Sequence, residues 1–117
     1  MALPKQSRIK KKKDFEKILK TGSSLRNSFF LIKFIRNSLL TDRAAIVVPV
    51  SIASKAVERN KLKRTISAAL RNIVTAVSNS KTSHTDFIIM AQTGVKNKKY
   101  REVSSSLRDI LQKANIV

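Results

Sequence analysis

The sequence predicts an α+β domain: three helices and a mixed sheet around one core. Three observations carry that prediction. Hydrophobic residues make up 42% of 117 residues, enough for one modest core and too little chain for two. Helical spacing of apolar residues recurs in three separated segments, and β-branched or aromatic runs fall between them. The order is α-β-β-α-β-α, with room for one more early strand, and this order suits an α+β or split β-α-β arrangement.

The elements follow in turn. Residues 1–11 are basic, contain Pro4 and show no periodic pattern, so a flexible basic arm is expected there. A helix is expected from about Lys12, with Asp14 and Glu16 in its first turn and Phe15, Ile18 and Leu19 on one face. Gly22 is placed to end it as a left-handed cap. Ser23 to Arg26 is either a short strand or a link. Ser28 to Arg36 reads as a strand whose apolar density implies burial on most of both faces. A polar turn, Asn37 to Asp42, leads to a second strand over Arg43 to Val48, and the spacing suggests a hairpin. Pro49 limits that strand.

A long helix is expected over Ser54 to Val77. At 100° per residue, Leu62, Ile66, Ala69, Leu70, Ile73 and Val77 share one face, and Asn60, Arg64, Ser67 and Arg71 line the other. Asn79 to Thr85 is polar and reads as a loop containing His84; Asp86 to Gln92 reads as a buried strand broken by Gly94. Asn97 or a neighbour starts a last helix, in which Tyr100, Val103, Leu107, Ile110, Leu111 and Ala114 form an apolar stripe.

The charge balance points to a partner. Twenty-five basic against seven acidic residues give a net charge of +18. Such a charge repels itself in a compact fold and implies a polyanion, nucleic acid above all. From Lys55 to Arg71 there are six basic residues and one acid, Glu58, whereas a merely solvated helix face would mix signs to form i,i+4 pairs. Forked guanidiniums spaced along one face suit the repeated acceptors of a phosphate backbone. Lys10 to Lys13 add a second basic cluster. Composition alone does not choose RNA over DNA.

Other chemistries are poorly supported. The seven carboxylates are scattered over different elements, where a two-metal nuclease needs several to converge. One histidine and two glycines cannot supply a Ser/His/Asp set or a phosphate-cradling glycine loop. The chain has no cysteine, which fits an intracellular protein, and no apolar run of membrane-spanning length. A cytoplasmic location is expected, with no membrane partner.

The segment A-V-E-R-N-K-L-K-R followed by I-x-x-x-L-R resembles the signature of the bacterial ribonuclease P protein component, a basic A-V-x-R-N-R-x-K-R core opening a helix. The stretch R-I-K-K-x-x-D-F-x-x-I-L-x-x-G, from Arg8 to Gly22, is similar to the family's opening helix, and D-F-I-I-M-A and the Tyr100 helix follow in the family's order. The resemblance implies a four-stranded mixed sheet in α-β-β-β-α-β-α order with a left-handed β-α-β crossover, a ribosomal S5 domain 2-like fold. It implies a protein that binds a catalytic RNA and the 5′ leader of precursor tRNA and assists leader removal, with Mg²⁺ held mainly by the RNA and no obligate protein partner. By position, Arg59, Asn60, Lys61, Lys63, Arg64 and Arg71 would contact the catalytic RNA. Phe15, Leu19, Leu31, Lys33, Arg8, Lys11 and Lys12 would face the leader. Three departures stand out. Pro49-Val50-Ser51 replaces the family's Ser-Lys-Lys, Ser67-Ala68 replaces an Arg-Glu pair, and Leu19 and Lys33 stand where aromatics are frequent. The rival readings are a ribosomal or nucleoid binding protein without enzymatic role, and a protein-only nuclease.

Overall fold

A computed structural model describes residues 9, 12–37, 43–77, 84–114 and 116, with the backbone alone for 74–77. The elements are α1 (Lys12–Thr21), β1 (Ser23–Arg26), β2 (Phe30–Asn37), β3 (Arg43–Val47), α2 (Ala56–Val77), β4 (His84–Ala91) and α3 (Tyr100–Lys113). The sheet order is β1-β2-β4-β3, with β3 and β4 parallel and the other two pairings antiparallel. The early segment Ser23 to Arg26 is therefore a strand, and α2 is the crossover between the two parallel strands.

Two expectations about the sheet are corrected. β2 and β3 form no hairpin, because β4 lies between them and pairs with both. The reason is burial: Phe87, Ile88 and Ile89 are all 1% exposed or less, so β4 hides both faces and takes the middle of the sheet. The hairpin is instead β1–β2. There the Asn27 side-chain carbonyl accepts from the Phe29 and Phe30 amides at 2.9 and 2.8 Å and closes the turn. β2 is also less buried than its composition suggested: Phe30 and Ile32 are buried, whereas Leu31, Lys33 and Ile35 are half-exposed. In addition, β4 begins two residues early, so His84 and Thr85 belong to a strand, paired with Asn37 and Arg36, and not to a loop.

The register sorts side chains between two faces. Phe30, Ile32, Ala44, Ile46, Phe87 and Ile89 share one face, where they join Ile66, Ala69, Leu70 and Ile73 of α2 and Val103, Leu107, Ile110 and Leu111 of α3 in one apolar core. The opposite face carries Leu31, Lys33, Ile35, Ala45, Val47, Ile88 and Met90. Among the described helices, α1, which packs against β2 and β4, lies over it.

Turn chemistry differs from expectation at three points. Gly22 does not take a left-handed conformation. A Cβ there would stand 2.5 Å from the Ile18 carbonyl oxygen and 2.8 Å from that of Phe34, so glycine is needed for close approach between helix end and strand. Asn97 takes the left-handed conformation instead, at φ 61°, and the last helix starts three residues later at Tyr100. Ser67, expected on the polar stripe of α2, is 8% exposed; it flanks the apolar arc, and so small a side chain is covered by its neighbours.

Candidate nucleic-acid interface

The first surface is the outer side of α2. Ile66, Ala69, Leu70 and Ile73, at helical spacing, are 2% exposed or less and pin the helix to the core, which turns the opposite side to solvent. Asn60, Lys61, Lys63, Arg64 and Arg71 are all exposed there. They span roughly 16 Å of helix, enough to follow several successive phosphates. Arg59 is different. It is half-buried, and its Nη1 donates to the carbonyl oxygens of Ala53 and Ser54 at 3.0 and 2.8 Å. Those bonds fasten the loop ahead of α2 to its first turn, so Arg59 shapes the helix start as well as adding charge.

The second surface lies beneath α1. Ile18 of α1 and Ile88 of β4 are buried, while Phe15, Leu19, Leu31 and Lys33 are half-exposed. Leu31 pairs with Met90 and Lys33 with Ile88, so both strand residues point to the α1 side. The four residues therefore lie on the side of the sheet that α1 covers, three of them apolar and one, Lys33, cationic. Lys12 is exposed on α1 and lies 4.0 Å from Glu16. Arg8 and Lys11 fall outside the described residues. Within the expected basic arm Ile9 is described, and its amide donates to the Ala44 carbonyl at 3.1 Å.

Sequence reasoning missed what holds this surface at one end. Arg43 of β3 donates through Nε to Asp86 at 2.8 Å, through Nη2 to the same carboxylate, and through Nη1 to Asp14 of α1 at 3.3 Å. Asn37 donates to Asp86 at 2.7 Å. The hydrogen bond to Asp86, with the charges of Asp86 and Asp14, raises the Arg43 pKa against the opposing effect of burial. No local signal marks this set, because its hydrogen-bonded partners are 29 to 49 residues apart in sequence. A groove of about 610 Å³ opens beside it, bordered by Lys17 and Arg36.

The same set tests whether this chain could hold a magnesium ion itself. Asp14 and Asp86 do converge, but on a guanidinium that pairs with both. Among the described residues no group of three or more His, Cys, Asp or Glu side chains is arranged to hold a metal. The donor set does not fit a resident divalent cation.

The comparisons with known proteins agree with this geometry. The family model for ribonuclease P matches residues 3–115. The chain belongs to the ribonuclease P protein family. Among relatives, the ribonuclease P protein component of Streptococcus pyogenes is 33% identical over 115 residues, covering 98% of this chain and 92% of the relative. That of Clostridium acetobutylicum is 32% identical over 114 residues, covering 97% and 92%. The ribonuclease P protein of Staphylococcus aureus superposes with a TM-score of 0.77 at 30% identity, covering 94% of this chain and 96% of that one. The Thermotoga maritima protein gives 0.73 at 27%, covering 91% and 96%. The three helices and four-stranded mixed sheet are thus a ribonuclease P protein fold. No helix among the described residues is long and apolar enough to cross a membrane.

Proposed function

We propose that this chain is the protein subunit of a bacterial ribonuclease P, binding the catalytic RNA along the outer side of α2 and the 5′ leader of precursor tRNA on the sheet face beneath α1. The observation that carries the reading is the separation of two differently built surfaces by one sheet. The α2 side offers Asn60, Lys61, Lys63, Arg64 and Arg71 on a rigid helix and suits a structured phosphate backbone. The α1 side offers half-exposed apolar residues, Phe15, Leu19 and Leu31, with Lys33, which suits an extended single strand. With leucine and lysine in place of aromatics at two positions, this face would hold the leader by apolar contact and one phosphate pairing more than by stacking. Lys12, Arg8 and Lys11 would extend that path electrostatically.

The chemistry in this reading belongs to the RNA. Among the described residues the acids that converge, Asp14 and Asp86, are held by Arg43. In this reading Mg²⁺ would be bound by the RNA subunit, and the protein would act by neutralising phosphates and positioning the leader. The test is cleavage of a precursor tRNA at low Mg²⁺ by a bacterial ribonuclease P RNA, with and without this protein. Release of the 5′ leader that requires both components is expected. Cleavage by the protein alone, or no stimulation of the RNA, would overturn the proposal.

A further inference from the structure

A further basic feature lies beside α2 and shares Lys61 with the first surface above. A groove of about 260 Å³ runs between the first turns of α2 and the loop that precedes α3. Its floor includes Ile52, Leu62 and Val95, and its rim carries Lys61 from α2 with Lys96 and Lys98 from the loop. Glu58 is the only acid among the described residues that line it, and it has a local reason to be there, in the first turn of α2 where the helix dipole favours a carboxylate.

The loop is built to hold this shape. Lys96, Asn97 and Lys98 all line the groove, although successive residues of an extended chain point to opposite sides. The left-handed Asn97 makes the turn that allows it. Upstream, the Gln92 amide donates to the Phe29 carbonyl at 2.8 Å, and Gly94 lies so close to the Ser28 carbonyl that any Cβ would collide with it. The Lys98 ammonium stands 5.8 Å from the centre of the Phe29 ring, within cation–π range. The loop is therefore docked on the β1–β2 turn, and Lys98 is held against Phe29.

Three lysines crowded on a fixed groove, against one acid, repel each other without a counter-charge. The groove adjoins the α2 stripe at Lys61, so one strand could cross both. Resting on the reading of this chain as a ribonuclease P subunit, we propose that the groove clasps sugar-phosphate backbone of the catalytic RNA, so that the RNA footprint runs from α2 onto the loop Lys96–Lys99.

The test compares the intact protein, K96A/K98A, K96R/K98R and a control, R108A/K113A, for binding to a bacterial ribonuclease P RNA transcript across a salt series. The control removes the same charge from α3 more than a Debye length along the helix. Loss of two phosphate contacts should weaken binding by K96A/K98A roughly tenfold and flatten the log–log salt dependence by about 1.4. The arginine pair should bind like the intact protein, and the control should change affinity by less than about twofold. Thermal melts should show all four folded, with K96A/K98A lower by no more than the loss of the Lys98–Phe29 contact, about 1 kcal/mol. An intact protein that binds while K96A/K98A matches it, or matches the control, sinks the groove and leaves the subunit reading standing. An intact protein that fails to bind this RNA removes both.

Discussion

The two faces of the sheet are finished in different ways. On one, α2 and α3 close over Phe30, Ile32, Phe87 and Ile89, and every one of these side chains is 1% exposed or less. On the other, α1 covers Ile88 but leaves Leu31, Lys33, Ala45, Val47 and Met90 half-exposed, and a charged network ties its margin. A closed face serves stability. A half-covered one, apolar and bounded by cations, has area left for a ligand. β2 shows the contrast within a single strand, because its alternate residues serve the two faces.

The sharpest way to break that comparison is to truncate neighbours in β2. Phe30→Ala should cost about 3–5 kcal/mol, much of the stability of a domain this size. Leu31→Ala, one residue on, should cost about 1 kcal/mol and show itself in weaker binding of a leader-bearing precursor tRNA. Urea melts of the two variants check the first statement, and competition between precursor and mature tRNA checks the second. Equal losses of stability would mean that the α1 face is core like the other.

Next in size is the tie at the edge of the open face. Asp86 has a side chain only 8% exposed, and Arg43→Ala would leave that carboxylate with Asn37 as its remaining polar contact from this set. Removing one partner of a buried ion pair costs about 3 kcal/mol. The pH dependence has a definite sign. Because the folded-state pKa of Arg43 is raised, its contribution is fully present below the ordinary arginine pKa and is lost only as pH climbs through the raised value. The loss of stability in Arg43→Ala should therefore be the same at pH values across the neutral range. A destabilisation that appears only toward alkaline pH would contradict this account of the tie.

Gly22→Ala should act at the other end of α1 with a somewhat smaller effect, about 2 kcal/mol, because the new Cβ must push the end of the helix away from the Phe34 carbonyl. A melt within a few tenths of the unmodified protein would show that the helix end can move freely. Here the sequence was half legible. A glycine ending α1 could be read from the pattern, but its reason lay in a contact with a strand twelve residues away, which no local rule reports. The same holds elsewhere. Helices α2 and α3 were legible because their apolar residues repeat at 3.6-residue spacing, and the basic side of α2 followed from that phase. The order of strands was not legible, because adjacency depends on which strand must be buried on both faces. The loop lysines were visible as V-K-N-K-K but were absorbed into the expected start of α3, since the left-handed Asn97 could not be foreseen. Nor could Arg43, whose partners come from α1 and β4.

The smallest expected effect separates two arginines that the sequence treats alike. Arg59 and Arg64 both stand in the basic core of α2, five residues apart, and both are expected to meet the catalytic RNA. Arg64 is exposed, and Arg64→Ala should alter stability by no more than about 0.5 kcal/mol. Arg59 also donates to two carbonyl oxygens ahead of the helix, and Arg59→Ala should cost about 1 kcal/mol. Each substitution should lower the salt slope of RNA binding by about one contact. The discriminating variant is Arg59→Lys, which keeps the charge but loses the planar guanidinium whose Nη1 donates to both Ala53 and Ser54. If Arg59 works mainly by fastening the helix start, the lysine variant should melt like the alanine one while keeping most of the salt slope. If it works only as a charge, the lysine variant should be indistinguishable from the unmodified protein in both measurements. The difference matters because a loosened first turn would also disturb Glu58 and Lys61, which border the groove beside α2.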